Sequence, residues 1–153
     1  MFLIGIVFCG CLGAIFFNDI VRYLNLNLVK EISINYEFLI TATIFALFYE
    51  IGLIINRLAS VLFEELLKKI KLIKLNDYAI YKKAEKRIGF MKVLSREYAV
   101  SRNSMALFFI LFTISLVKWK LIFMFIFLLL TVLFFFSMKK HSSKISELVS
   151  SAA

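Results

Sequence analysis

Glu50 is a carboxylate set inside an otherwise apolar run, FLITATIFALFYEIGLIIN, that fills residues 38–56. At the centre of a membrane helix a carboxylate costs roughly 2.5–3.5 kcal/mol on insertion scales, so such residues face protein or water. Polar residues recur around it every seven positions, as Thr43, Glu50, Arg57, Glu64 and then Lys71. Seven residues advance an α-helix by about 700°, only ~20° short of two full turns, so the series falls on one face. Such a face forms a polar seam along a bundle interior, a pore or an oligomer axis. In a transporter or channel, Glu50 would be the coupling carboxylate of a proton or ion pathway. The plainer alternative leaves Glu50 neutral or snorkelling, with Arg57 and Glu64 as ordinary interface residues. Glu50 and Arg57 lie roughly 10.5 Å apart along a helix, so they pair only across an oligomer or with another segment.

Two further patterns carry chemistry of association rather than of catalysis. Gly5, Cys9 and Gly13 repeat every four positions, a small-residue spacing that lets helices pack closely in lipid. Lys68, Lys69, Lys71, Lys74, Lys82, Lys83, Lys86 and Arg87 form a dense basic stretch with interleaved tyrosines. Lipid headgroups and a cytosolic protein are the expected contacts of that stretch, each Lys or Arg near an anionic leaflet contributing about 1 kcal/mol. Nucleic acid is disfavoured because no recognised binding motif accompanies the charge. One His and two Cys are too few for a protein-only zinc site of the usual four ligands. No phosphate-cradling glycine loop and no nucleophile motif occurs. The expectation is a non-enzymatic protein with neither cofactor nor metal.

The elements that must position these groups are set by composition. Of 153 residues, 62% are apolar and 19% charged, and 18 are Phe; mean hydropathy is +0.91. A soluble fold of this size hides only about two-thirds of its chain surface, so these values exclude an ordinary soluble enzyme, a disordered chain and a disulfide scaffold. They predict an all-α integral membrane protein, a four-transmembrane-helix bundle with a basic helical region between helices 2 and 3. The first apolar run is 2–17, slightly short of a ~30 Å hydrocarbon core. A polar connector, 18–37, joins it to the second, and residues 24–28 alternate Leu and Asn as a short strand or interfacial segment would. The second helix continues past Asn56 as an amphipathic rod to Leu75, with Asn76-Asp77 as its stop. A helix at 78–88 comes next, capped by Asp77 and ended at Gly89, and Ser95 starts another that leads into the third span. Read as one helix, 105–138 would measure about 51 Å, so Lys118-Trp119-Lys120 is taken as a hairpin turn even though it holds neither Gly nor Pro. The resulting division is a helical hairpin at 1–64, a basic region at 65–103, a second hairpin at 104–138 and a short, polar, mobile tail at 139–153.

Residues 65–103 carry eleven basic side chains and 139–144 carry three, making fourteen. Four stand on the other side, Arg22, Lys30, Lys118 and Lys120, and Arg57 at the boundary completes nineteen. The positive-inside rule then puts both termini and the basic region in the cytoplasm, with Trp119 an outer interfacial anchor.

The run Asn56-Arg57-Leu58-Ala59-Ser60 through Glu64-Glu65-Leu66-Leu67-Lys68-Lys69-Ile70-Lys71, followed by Leu94-Ser95-Arg96-Glu97-Tyr98, resembles small uncharacterised bacterial membrane proteins. Some of that kind accompany anti-phage defence systems. The resemblance implies an inner-membrane component of a defence or stress system, an oligomeric sensor or membrane-perturbing effector working with a cytosolic partner. A small ion-coupled transporter or channel using Glu50, and a passive anchor for a soluble partner, are the competing readings.

Overall fold

The computed structural model describes residues 1–16, 19, 37–73 and 78–152, and all regular structure among them is helical. Helix α1 is Phe2–Ile15. Helix α2, Glu37–Leu58, passes without a break into a π-helical segment, Ala59–Glu64, and then into α3, Glu65–Lys69. Helices α4, α5 and α6 are Tyr78–Arg87, Met91–Val117 and Leu121–Ala152. Among the described residues, three runs are long and apolar enough to cross a bilayer: Thr41–Lys69, Met91–Val117 and Leu121–Ser151. The fourth apolar helix, α1, has 14 residues, about 21 Å of rise. The alternating stretch 24–28, Lys74 and the Asp77 cap lie outside the described residues.

Two hairpins build the fold. In the first, α1 and α2 run antiparallel in one register, Gly5 against Phe48 and Met1 against Gly52. In the second, α5 and α6 pack along most of their length and make the most extensive helix–helix contact among the described residues. Phe108 stacks on Phe127 and Phe134 there, and the Ser101 and Ser137 hydroxyls meet at 2.9 Å. Helix α1 lies along the second half of α5 in the same direction. At one end the Asn103 Nδ2 faces the Met1 Sδ at 4.0 Å; at the other the Lys118 Nζ lies 4.5 Å from the centre of the Phe16 ring and 3.2 Å from the Asp19 carboxylate.

Two apolar cores stack along this axis. Ile15, Ile55, Leu107, Leu111 and Phe127 form the first. The second, at the basic end, gathers Leu67, Ile73, Ala84, Met91, Leu94, Tyr98, Met105, Met138, Ile145 and Val149. Outside the cores, Ile122, Phe125, Leu129, Leu133 and Phe136 make an exposed stripe along α6. Helical spacing on an outward face is the pattern of a helix whose solvent is lipid.

The tail expected at 139–153 is not a mobile coil. Helix α6 runs on to Ala152 because Met138, Ser142, Ile145 and Val149 recur at helical spacing and bury to 5% exposure or less. Nor does the second helix reach Leu75. It ends after Lys69, and Lys71 turns left-handed at φ 59°. Ser95 lies inside α5, which already begins at Met91, and the expected division at 103/104 also falls within that helix.

The turn at 118–120 is built the same way as the one after α3, with Trp119 at φ 52°. Leu72 N–H donates to the Leu67 carbonyl and Lys71 N–H to that of Lys68. Lys120 N–H donates to the Ser115 carbonyl and Trp119 N–H to that of Leu116. These are the paired bonds of a Schellman motif, whose left-handed position is usually Gly. A side chain there costs about 1–2 kcal/mol. Lys71→Gly is therefore expected to stabilise the detergent-solubilised protein by about 0.5–1 kcal/mol after allowing for glycine's greater entropy loss, read as a higher thermal midpoint.

A candidate functional site around Glu64 and Arg102

Where α2 passes into the π segment, the polar groups of three helices converge. A π turn bonds each N–H to the fifth residue back, and one residue more than an α-helix needs rotates the next turn by about 100°. Glu64, the last residue of that segment, is thereby turned toward α5. Its Oε2 accepts from Arg102 Nη1 at 2.6 Å, and its Oε1 lies 3.0 Å from Lys68 Nζ. The guanidinium reaches the Asn56 Oδ1 at 3.0 Å with its other terminal nitrogen and also donates to the Asn103 Oδ1. Glu64 and Arg102 side chains are 14% and 13% exposed, and Asn103 is fully buried.

The fork of Arg102 thus ties α2, its π extension and α5 at one level. A planar guanidinium with five donors suits this task in a way a lysine does not. The buried Tyr98 hydroxyl, one turn before Arg102, has no hydrogen-bond partner among the described residues. Further along the same hairpin, His141 Nδ1 stands 3.4 Å from the Glu97 Oε2.

Of the heptad series on the second helix, the structure brings only Glu64 into this cluster. Thr43, Glu50 and Arg57 stand exposed on α2. The π segment explains the separation, since it resets the seven-residue register between Arg57 and Glu64. Of the packing series, Gly5 is pressed to the backbone of α2, whereas a Cβ at Gly13 would meet nothing within 4 Å and Cys9 is partly buried. The second close-packed glycine is Gly52, across the hairpin in the same register.

The basic residues divide by surroundings. Lys68 pairs with Glu64, and Lys82 with Glu85 at 2.8 Å. That hydrogen bond holds the Glu85 carboxyl below its usual range. Lys69, Lys71, Lys83, Lys86 and Arg87 lie on the surface. The sequence patterns do not single out Asn56, Arg102 or Asn103. A signal for them exists all the same: an Arg-Asn pair lips the apolar run 105–117, at the depth where Asn56 and Glu64 leave the other apolar run. Comparison with protein-family models, with curated proteins and with solved structures finds no match to this chain.

Proposed function

We propose that the chain is a non-enzymatic component of a bacterial inner membrane that works as a homo-oligomer, with its basic end in the cytoplasm. In this reading it senses or perturbs the membrane, together with a cytosolic protein partner, in a phage-defence or stress response. The observation that carries the oligomer is Glu50. It lies in the apolar stretch of α2 and is exposed, turned away from the packed side of its own chain. A carboxylate left among lipid tails costs roughly 2.5–3.5 kcal/mol. A second copy laid against the same face removes Glu50 from lipid and gives it polar company. Thr43 and Arg57, one heptad on either side and equally exposed, extend that face along the helix.

The basic end supports the partner and the orientation. Fourteen of nineteen basic residues fall in 65–103 and 139–144, the asymmetry expected of a cytoplasmic side. A partner loading α3 and α4 acts on α2 through the π segment and the Glu64–Arg102 tie. The test is Glu50→Leu against Glu50→Gln, with mass measured by light scattering in detergent and membrane potential followed in triggered cells. Glu50→Leu is expected to weaken association by about 3- to 30-fold, the equivalent of one interhelical polar contact in lipid, and to blunt the triggered response; Glu50→Gln keeps association. Unchanged association for both variants would discard the face, and a response that needs the carboxylate for proton flux would favour the transporter.

A further inference from the structure

A half-open groove of about 370 Å³ lies at the basic end, between the turn that ends α3 and the final turns of α6. One wall is the turn 71–73. The other is a face of α6 that starts at Lys139 and carries four serines and Glu147. A ~30 Å hydrocarbon core takes about 20 residues of helix, so a helix entering lipid at Leu121 leaves it near residue 140. Lys139 then stands at the lipid edge, and Ser142 and Ser143 lie within the headgroup layer, roughly 5–7 Å deep.

The backbone of Glu147 lies about 10 Å past that edge, but its carboxylate reaches back toward the level of Ser143. Side chains on a helix lean toward its N-terminus, here the lipid side, and the Ser143 hydroxyl donates to the Glu147 Oε1 at 3.4 Å. Below Lys139 on the same face, Val132 and Leu128 are exposed and offer an apolar track for an acyl chain. The groove therefore presents two cations, one carboxylate and several hydroxyls at headgroup depth, above a greasy strip. A simple phosphate would use the lysines but meet the charge of Glu147. A headgroup that joins a phosphate to a primary ammonium uses all three.

We propose that this groove binds the phosphoethanolamine headgroup of a membrane lipid. Lys71 and Lys139 hold the phosphate, and Glu147 accepts the ammonium N–H groups. The assignment is independent of the oligomer face on α2.

The full chain would be purified and delipidated, then exposed to vesicles of phosphatidylethanolamine, phosphatidylglycerol or phosphatidylcholine, with retained lipid counted by native mass spectrometry. Phosphatidylcholine carries the same charges but its quaternary ammonium has no N–H. Phosphatidylethanolamine is expected to be retained about fivefold over phosphatidylcholine, the factor that a hydrogen bond of about 1 kcal/mol supplies. Glu147→Gln is expected to erase that preference, and Lys139→Met to lower retention of all three, with helical content by circular dichroism unchanged in each. Equal retention of the three lipids, or a preference that both substitutions leave intact, overturns the site. Free phosphoethanolamine and inorganic phosphate are added as competitors in a parallel arm. Binding of these soluble anions with no selectivity among vesicles overturns the lipid source and marks a soluble phosphate site instead.

Discussion

Gly5→Ala is expected to pull α1 off α2. A Cβ at residue 5 would lie 1.8 Å from the Phe48 carbonyl oxygen and 2.7 Å from its carbon. Both are backbone atoms, so no rotamer change relieves the overlap and one helix must move. Overpacking of this kind costs about 1–3 kcal/mol, occasionally more, and a contact this short places Gly5→Ala at the upper end. Gly52→Ala meets the Met1 carbonyl oxygen at 2.2 Å, a less severe overlap than the 1.8 Å at Gly5; a smaller loss is expected. Gly10→Ala and Gly13→Ala meet nothing within 4 Å and gain up to about 1 kcal/mol of helix propensity. Thermal unfolding in detergent, followed by Trp119 fluorescence at the far end of the α1–α5 contact, ranks the four variants. Equal midpoints for Gly5→Ala and Gly13→Ala would show that α1 docks on another surface.

Arg102→Met has the second large effect. Removing one partner of a buried ion pair costs about 3–5 kcal/mol, chiefly because the surviving charge stays buried and unpaired. Here Glu64 keeps Lys68 and both side chains retain some solvent, so a loss of about 2–3 kcal/mol is expected. Arg102→Lys should recover only part of it, because a point charge cannot reach Glu64 and Asn56 together. In the double variant Glu64→Leu/Arg102→Met most of the stability returns, since apolar groups of similar volume are tolerated where one orphaned charge is not. The cycle is expected to give a coupling of at least about 1 kcal/mol. Additive losses would mean that the pair contributes nothing as a pair.

The apolar runs, the basic helix and the hairpin turn at 118–120 are legible in the sequence because each rests on a strong local rule. Span length is set by bilayer thickness, and 105–138 is too long to be one span. Backbone register is what the sequence conceals. Heptad spacing from Thr43 to Glu64 assumes 3.6 residues per turn throughout, and the π segment breaks that assumption between Arg57 and Glu64 without any Gly or Pro to announce it. Composition misleads at the C-terminal end. The stretch HSSKISELVSSAA is polar enough to read as a solvated tail, yet its Ser142, Ile145 and Val149 continue the buried face of Met138. The Glu64–Arg102 tie is half visible. Glu64 stands out by its heptad position on the second helix, but its partner comes from 38 residues further on, a pairing that emerges only from aligning where the two helices leave the apolar layer.

Cysteine cross-linking in native membranes tests directly whether the α2 face pairs with a second copy. In a background with Cys9 and Cys11 replaced by Ala, single cysteines would be placed at Ala46 and Leu47, which flank Glu50 on its exposed side, and at Leu133 on the outer stripe of α6. Helices that pack face to face lie about 8–10 Å apart, within reach of oxidative disulfide formation. A covalent dimer is expected at Ala46→Cys and Leu47→Cys, and monomer at Leu133→Cys. Monomer at both α2 positions, or a dimer formed through α6 instead, would contradict that pairing.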